Sequence, residues 1–201
     1  MKKIEFKKGQ WEEELVHAYP FRFKETPEVL QGEDFIFNKK DPTREDGYDY
    51  VSLMDKKAYP LGTKISAVCS FEDFGAPLIT ISDELYTDEN GNYKYKNYYE
   101  AVVWEEGINV WRIEYVDGEV RVDLVAGVNI PLDAGVKHNV SVEIWDKRLM
   151  VKINGQYINL MAPKLPQNVY LGVTACENIN KIYSIEIETD IKMYEKTFYG
   201  M

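Results

Sequence analysis

Histidine is nearly absent from this chain: His17 and His138 are the only two in 201 residues. A Ser–His–Asp centre needs a histidine beside a serine on a sharp turn, and neither histidine has that setting. His138 simply opens a strand-like run after Lys137. Elimination chemistry on a uronate would want a Tyr–His pair with Arg or Asn; tyrosines are plentiful, but the histidines are badly placed for it. Cysteine is as scarce. Cys69 and Cys176 lie in the apolar runs "ISAVCSF" and "LGVTACE", with neither zinc-site nor redox spacing. Two buried, reduced thiols are expected. No run reaches the ~18 apolar residues that a transmembrane helix needs. Positive charge is in deficit, with 24 Lys and Arg against 34 Asp and Glu and a net charge of -10. Nucleic acid, anionic membrane surfaces and acidic polysaccharides are therefore disfavoured partners. The opening "MKKIEFKKGQWEEE" has no apolar h-region, and a cytoplasmic location is expected.

Helical periodicity is also missing before residue 190. Strand-like runs fill the chain instead: 2–7, 21–25, 34–39, 48–54, 63–72, 77–82, 98–105, 108–116, 119–126, 138–146, 148–154, 169–176 and 181–189. Turn-forming stretches such as "EDFGAP", "DENGN", "VDG", "LDAG" and "NGQ" separate them, a pattern of all-β sandwiches and barrels. Residues 8–20 read as a short helical turn or a loop. Residues 83–97 read as a long hairpin with Asn90–Gly91 at its tip. The tail 190–201 reads as a short helix or an edge segment. No repeat or linker divides the chain, so 1–201 is taken as one domain.

The segment "KHNVSVEIWDKRLMVKINGQ" (137–156) sets Val140, Val142 and Ile144 on one face of a strand. After a turn at Asp146–Lys147 it sets Leu149, Val151 and Ile153 on the matching face. This hairpin, with "VYLGVTACENINKIYSIEIE" (169–188) as a closing strand pair, resembles the concanavalin A-like lectin/glucanase superfamily, which includes laminin-G-like domains. The resemblance implies a jelly-roll sandwich of two antiparallel sheets, one of them bent, with glycans held on its concave outer face. The glucanase motif "E-x-D-x-x-E" is absent; Glu143 and Asp146 in "EIWD" fall on opposite faces of a strand.

The stretch "NYYEAVVWEEGINVWRIEYV" (97–116) raises the question of a site. Alternation puts Tyr98, Glu100, Val102 and Trp104 on one face of the first strand, and Asn109, Trp111, Ile113 and Tyr115 on one face of the next. Flat aromatic rings beside fixed hydrogen-bonding groups suit sugars, which offer C–H patches and hydroxyls. Tyr98, Glu100, Trp104, Asn109, Trp111, Arg112 and Asn178 are therefore candidate ligand-binding residues. Glu100 and Glu177 are candidate catalytic carboxylates, and Glu100 is expected to be partly wet or hydrogen-bonded. Asp88, Asn90 and Asn92 match the start of a calcium loop, but Tyr99 stands where its bidentate Glu would be. No metal or cofactor is expected. The functional expectation is recognition of a carbohydrate or glycoside, non-catalytic or as an accessory subunit, with homo-oligomerisation open. A glycoside-processing enzyme and a protein-interaction module are the alternatives.

Overall fold

The computed structural model describes residues 1–24, 28–38 and 50–192, and every helix or strand among them is a strand. In chain order they are β1 (Lys2–Glu5), β2 (Leu15–Pro20), β3 (Leu30–Gln31), β4 (Ile36–Phe37), β5 (Val51–Pro60), β6 (Thr63–Glu72), β7 (Ala76–Thr87) and β8 (Tyr93–Trp104). They continue as β9 (Gly107–Val116), β10 (Glu119–Asn129), β11 (His138–Trp145), β12 (Arg148–Ile153), β13 (Gln156–Met161), β14 (Asn168–Cys176) and β15 (Ile179–Glu188).

The β11–β12 hairpin shows how alternation becomes fold. Val140 faces Ile153, Val142 faces Val151 and Ile144 faces Leu149 across the ladder, and all six side chains are buried. Each contributes about 1.5–3 kcal/mol by leaving water. Lys147, at φ 55°, turns the chain between them. This hairpin belongs to a sheet ordered β13-β12-β11-β6-β15-β4-β3, with β1 also on β15. The second sheet contributes Ile79, Ile81, Ala101, Val103, Ile108, Val110, Leu171 and Val173 to the same core, between the two sheets.

The second sheet is curled onto itself. β10 pairs with β9 and β9 with β8. β8 then pairs with β7 on one side and β2 on the other, while β2–β5, β5–β14 and β14–β7 complete a ring. The closing contact is the one parallel pairing among the described residues, Ala18–Tyr93 to Pro20–Tyr95. Gly172 permits the tight curvature: a Cβ there would sit 2.3 Å from both the Leu53 carbonyl oxygen and Met54 Sδ.

Several sequence expectations need correction. Residues 15–20 form strand β2 rather than a helical turn or loop. Phe21–Lys24 are not a strand: the Phe23 amide bonds back to the Pro20 carbonyl at 2.9 Å, and both phenylalanines cover the curled sheet. Strand β13 was not anticipated. The long hairpin is continuous β7–β8, turning over 88–92. In the tail, 193–201 lie outside the described residues.

Candidate functional site

The face of the curled sheet turned away from the core is its concave face. Register assembles it: Trp111 lies across from Glu100, Glu100 from Thr80, Thr80 from Gly172, Gly172 from Met54 and Met54 from Val16. Tyr98 is two residues along from Glu100. Tyr95 joins this face although it lies three positions from Tyr98, because Asn97 between them has φ 53°. A left-handed residue interrupts the extended backbone on which period-two alternation depends, while the β7–β8 ladder keeps its register through this point. The two rings meet edge to face at 4.8 Å.

Ring closure fills much of this face with the protein's own groups. Thr80, Thr174, Ser52 and Tyr95 form a buried chain of hydroxyls, bonded at 2.9, 2.8 and 2.9 Å. Phe23, Tyr50, Leu78, Val102 and Cys176 pack together beside it. The Arg22 guanidinium lies 5.0 Å from the Phe23 ring centre and 5.6 Å from that of Tyr50, and its Nη2 donates to the Tyr50 hydroxyl at 3.3 Å.

Glu100 sits beneath this cover. It is 4% exposed, and its Oε1 has no hydrogen-bond partner among the described residues. The expectation that it would be partly wet or hydrogen-bonded is corrected for that oxygen: Arg22 lies close by, and Phe23 and Tyr50 pack with Val102 of the same strand face. Burial pushes its carboxyl up to about 7, against the pull of Arg22. Arg22 Nε is buried and unpartnered in the same sense, and the Tyr98 hydroxyl is buried beside that guanidinium. Burial, then the charge of Glu100, raises the Tyr98 phenol and the Cys176 thiol well above their ordinary values.

The other sequence candidates separate. Tyr98 is fully buried, so it is packing rather than an open platform. Trp104, Asn109 and Trp111 are half-buried on the concave face. Trp104 lies across from Gly107, and Asn109 from Val102 on β8 and Gly127 on β10. A Cβ on Gly127 would stand 2.8 Å from Asn109 Oδ1, so the glycine makes room for that amide. Arg112 belongs elsewhere. It lies across from the core-facing Tyr99, with its guanidinium 4.5 Å from that ring centre. It donates to both oxygens of Asp83, at 3.2 and 2.6 Å, and to Glu114 at 3.1 Å, and Lys164 reaches the other Glu114 oxygen. This closed ion cluster removes Arg112 from the concave-face set.

Glu177 and Asn178 make the β14–β15 turn, with Glu177 at φ 61°. Two amides fasten it: Asn38 and Asn180 each donate to the Glu177 carbonyl, at 2.6 and 2.7 Å, and Asn180 also donates to that of Cys176 at 2.7 Å. Asn38 gave no sign of this role in the sequence. Burial alone raises the Glu177 carboxyl, which stands at the β14–β15 turn, whereas Glu100 lies within β8. Asp88 Oδ1 accepts the Asn90 and Asn92 amides at 2.9 and 3.0 Å, which is turn chemistry. Among the described residues no cluster of three His, Cys, Asp or Glu is placed to hold a metal.

No known family's sequence profile matches the chain, and no curated protein matches it by sequence. Solved structures do match. β-Agarase A from Zobellia galactanivorans superposes with a TM-score of 0.63 at 8% identity, over 88% of this chain and 82% of that one. A glycoside hydrolase family 16 endo-glucanase from Bacteroides ovatus gives 0.62 at 12% identity, over 93% and 99%. The carbohydrate binding module CBM66 from Bacillus subtilis gives 0.57 at 12% identity, over 81% and 91%. Likeness at such identities speaks for architecture alone, and the chain has an all-β, concanavalin A-like jelly-roll fold.

Proposed function

We propose that the protein recognises a neutral carbohydrate or glycoside on the open, β8–β10 side of its concave face, as a non-catalytic binding domain or accessory subunit. The observation that carries this reading is the half-exposed series Trp104, Asn109 and Trp111 on one face of β8 and β9. The two tryptophans stand about 13 Å apart along the strand direction, with the Asn109 amide between them. Indole faces meet the C–H patches of sugar rings, and an amide both donates to and accepts from hydroxyls. The fold's solved neighbours include a carbohydrate binding module and carbohydrate-active enzymes by name, which supports the ligand class. Two free, buried cysteines and a net charge of -10 support action in a reducing cytoplasm on an uncharged ligand. Glycan-array screening followed by titration calorimetry tests the reading. Trp104→Ala and Asn109→Ala should each weaken binding by about tenfold or more with the fold intact. Absence of any glycan ligand, or unchanged affinity in both variants, would reject it.

A second reading has one specific support. A carboxyl raised to about 7 with an unpartnered oxygen is suited to a general acid, so Glu100 is the residue that a glycoside-processing activity would use. Turnover of aryl glycosides that survives Glu100→Gln would exclude it from that role.

A further inference from the structure

β10 is the free edge of the curled sheet: among the described residues it pairs only with β9. Its first half is exposed on both faces. Val120, Val122 and Leu124 are 45, 47 and 53% exposed, and Tyr115 across from Val120 is 45% exposed. Glu119, Arg121 and Asp123 line the other face. Edge strands are normally blunted by charged side chains, Pro, bulges or a cover; residues 119–124 contain neither Lys nor Pro and carry their charges on one face only. A bulge between Leu124 and Ala126 interrupts the ladder only beyond them. Arg121 and Asp123 form no ion pair among the described residues. Their ladder neighbours Glu114 and Arg112 are already engaged with Lys164 and Asp83.

We propose that β10 is a self-association edge, which pairs antiparallel with β10 of a second copy of this chain about a two-fold axis through Val122. The sequence "VRVDL" (120–124) is complementary to itself in that register. Val122 meets its symmetry mate, Val120 meets Leu124, and Arg121 meets Asp123 twice. Opposite residues of an antiparallel pair share a face, so a two-fold pairing can slip only by steps that keep this parity. One step in one direction sets Arg121 against Arg121 and Glu119 against Asp123; one step in the other sets Asp123 against Asp123. Like charges directly opposite are destabilising and unlike charges stabilising. The charges therefore select one register, while the valines and leucine supply the buried surface. The contact is isologous and uses the same residues twice.

Analytical ultracentrifugation of the full chain over a wide concentration range tests the proposal, with circular dichroism confirming the fold of each variant. The parent should show a reversible monomer–dimer equilibrium. Arg121→Asp and Asp123→Arg should each weaken it by about tenfold or more, and Val122→Lys should abolish it. The combined Arg121→Asp, Asp123→Arg chain should recover the dimer, because the pairs re-form with their signs exchanged. A parent that is monomeric at every concentration would assign the edge to some other partner and overturn the proposal. So would a dimer indifferent to these changes, an open-ended assembly, or a folded double variant that fails to recover.

Discussion

Glu100 lies directly across the β8–β9 ladder from Trp111, yet the tryptophan is half-exposed and the carboxylate sealed. Two strands thus carry, side by side, an open part of the concave face and a closed one. The difference comes from Arg22, Phe23 and Tyr50, which cover the carboxylate.

The first prediction is a pH-dependent stability that belongs to Glu100. Its folded carboxyl is raised to about 7 from an ordinary 4.5. Between those values the folded state holds a proton that the unfolded state has released, so stability falls as pH rises through this window and levels off above it. The shift corresponds to a loss on the order of 3 kcal/mol. Denaturation of the parent and of Glu100→Gln should agree most closely near pH 4.5. By pH 8 the variant should be the more stable by about 2–3 kcal/mol. A difference that does not change with pH would contradict the assignment.

Gly172→Ala should be severely destabilising. The new methyl would meet a backbone carbonyl and the Met54 sulfur at 2.3 Å, and β14 can yield only by loosening from β5. A loss of about 3 kcal/mol or more is expected, read as a lower denaturation midpoint. A loss under about 1 kcal/mol would show that the ring is slacker than described.

Arg112→Ala should lower stability by about 3 kcal/mol, because it strands Asp83 and Glu114 in partly buried positions. Since Arg112 faces away from the concave surface, affinity for a ligand bound beside Trp111 should not change. A selective loss of binding would return Arg112 to the site.

Both thiols should be silent in the folded protein. Burial pushes Cys69 up to about 12 and Cys176 well above its usual range, so reactive thiolate is scarce at neutral pH. Labelling without reductant should be slow in native protein and reach two thiols per chain after denaturation. Rapid native labelling of either cysteine would contradict the packing.

The strands that pair with near neighbours were legible because alternation is a local signal. Val140, Val142 and Ile144 announced their face, and Leu149, Val151 and Ile153 the matching one. The division of 98–104 and 108–115 into two faces was equally readable, and it put Glu100 and Trp111 on one side. Curvature was not. The parallel contact of Ala18 with Tyr93 joins segments far apart in the chain, and no period in either reports it. Asn97 offered a faint clue, since Asn tolerates positive φ, but its effect on Tyr95 appears only in three dimensions. Without the ring, nothing in "FRF" shows that Phe21 and Phe23 turn over the sheet, or that Glu100 lies beneath.

A ring of strands has no ends. Closure by β2 leaves the curled sheet able to grow in one direction only, outward from β9 through β10. An open sheet has two borders, and a chain that paired at both could recruit copies without limit. The two-fold pairing proposed above would consume the one border that this sheet has among the described residues, so growth along it would terminate at two.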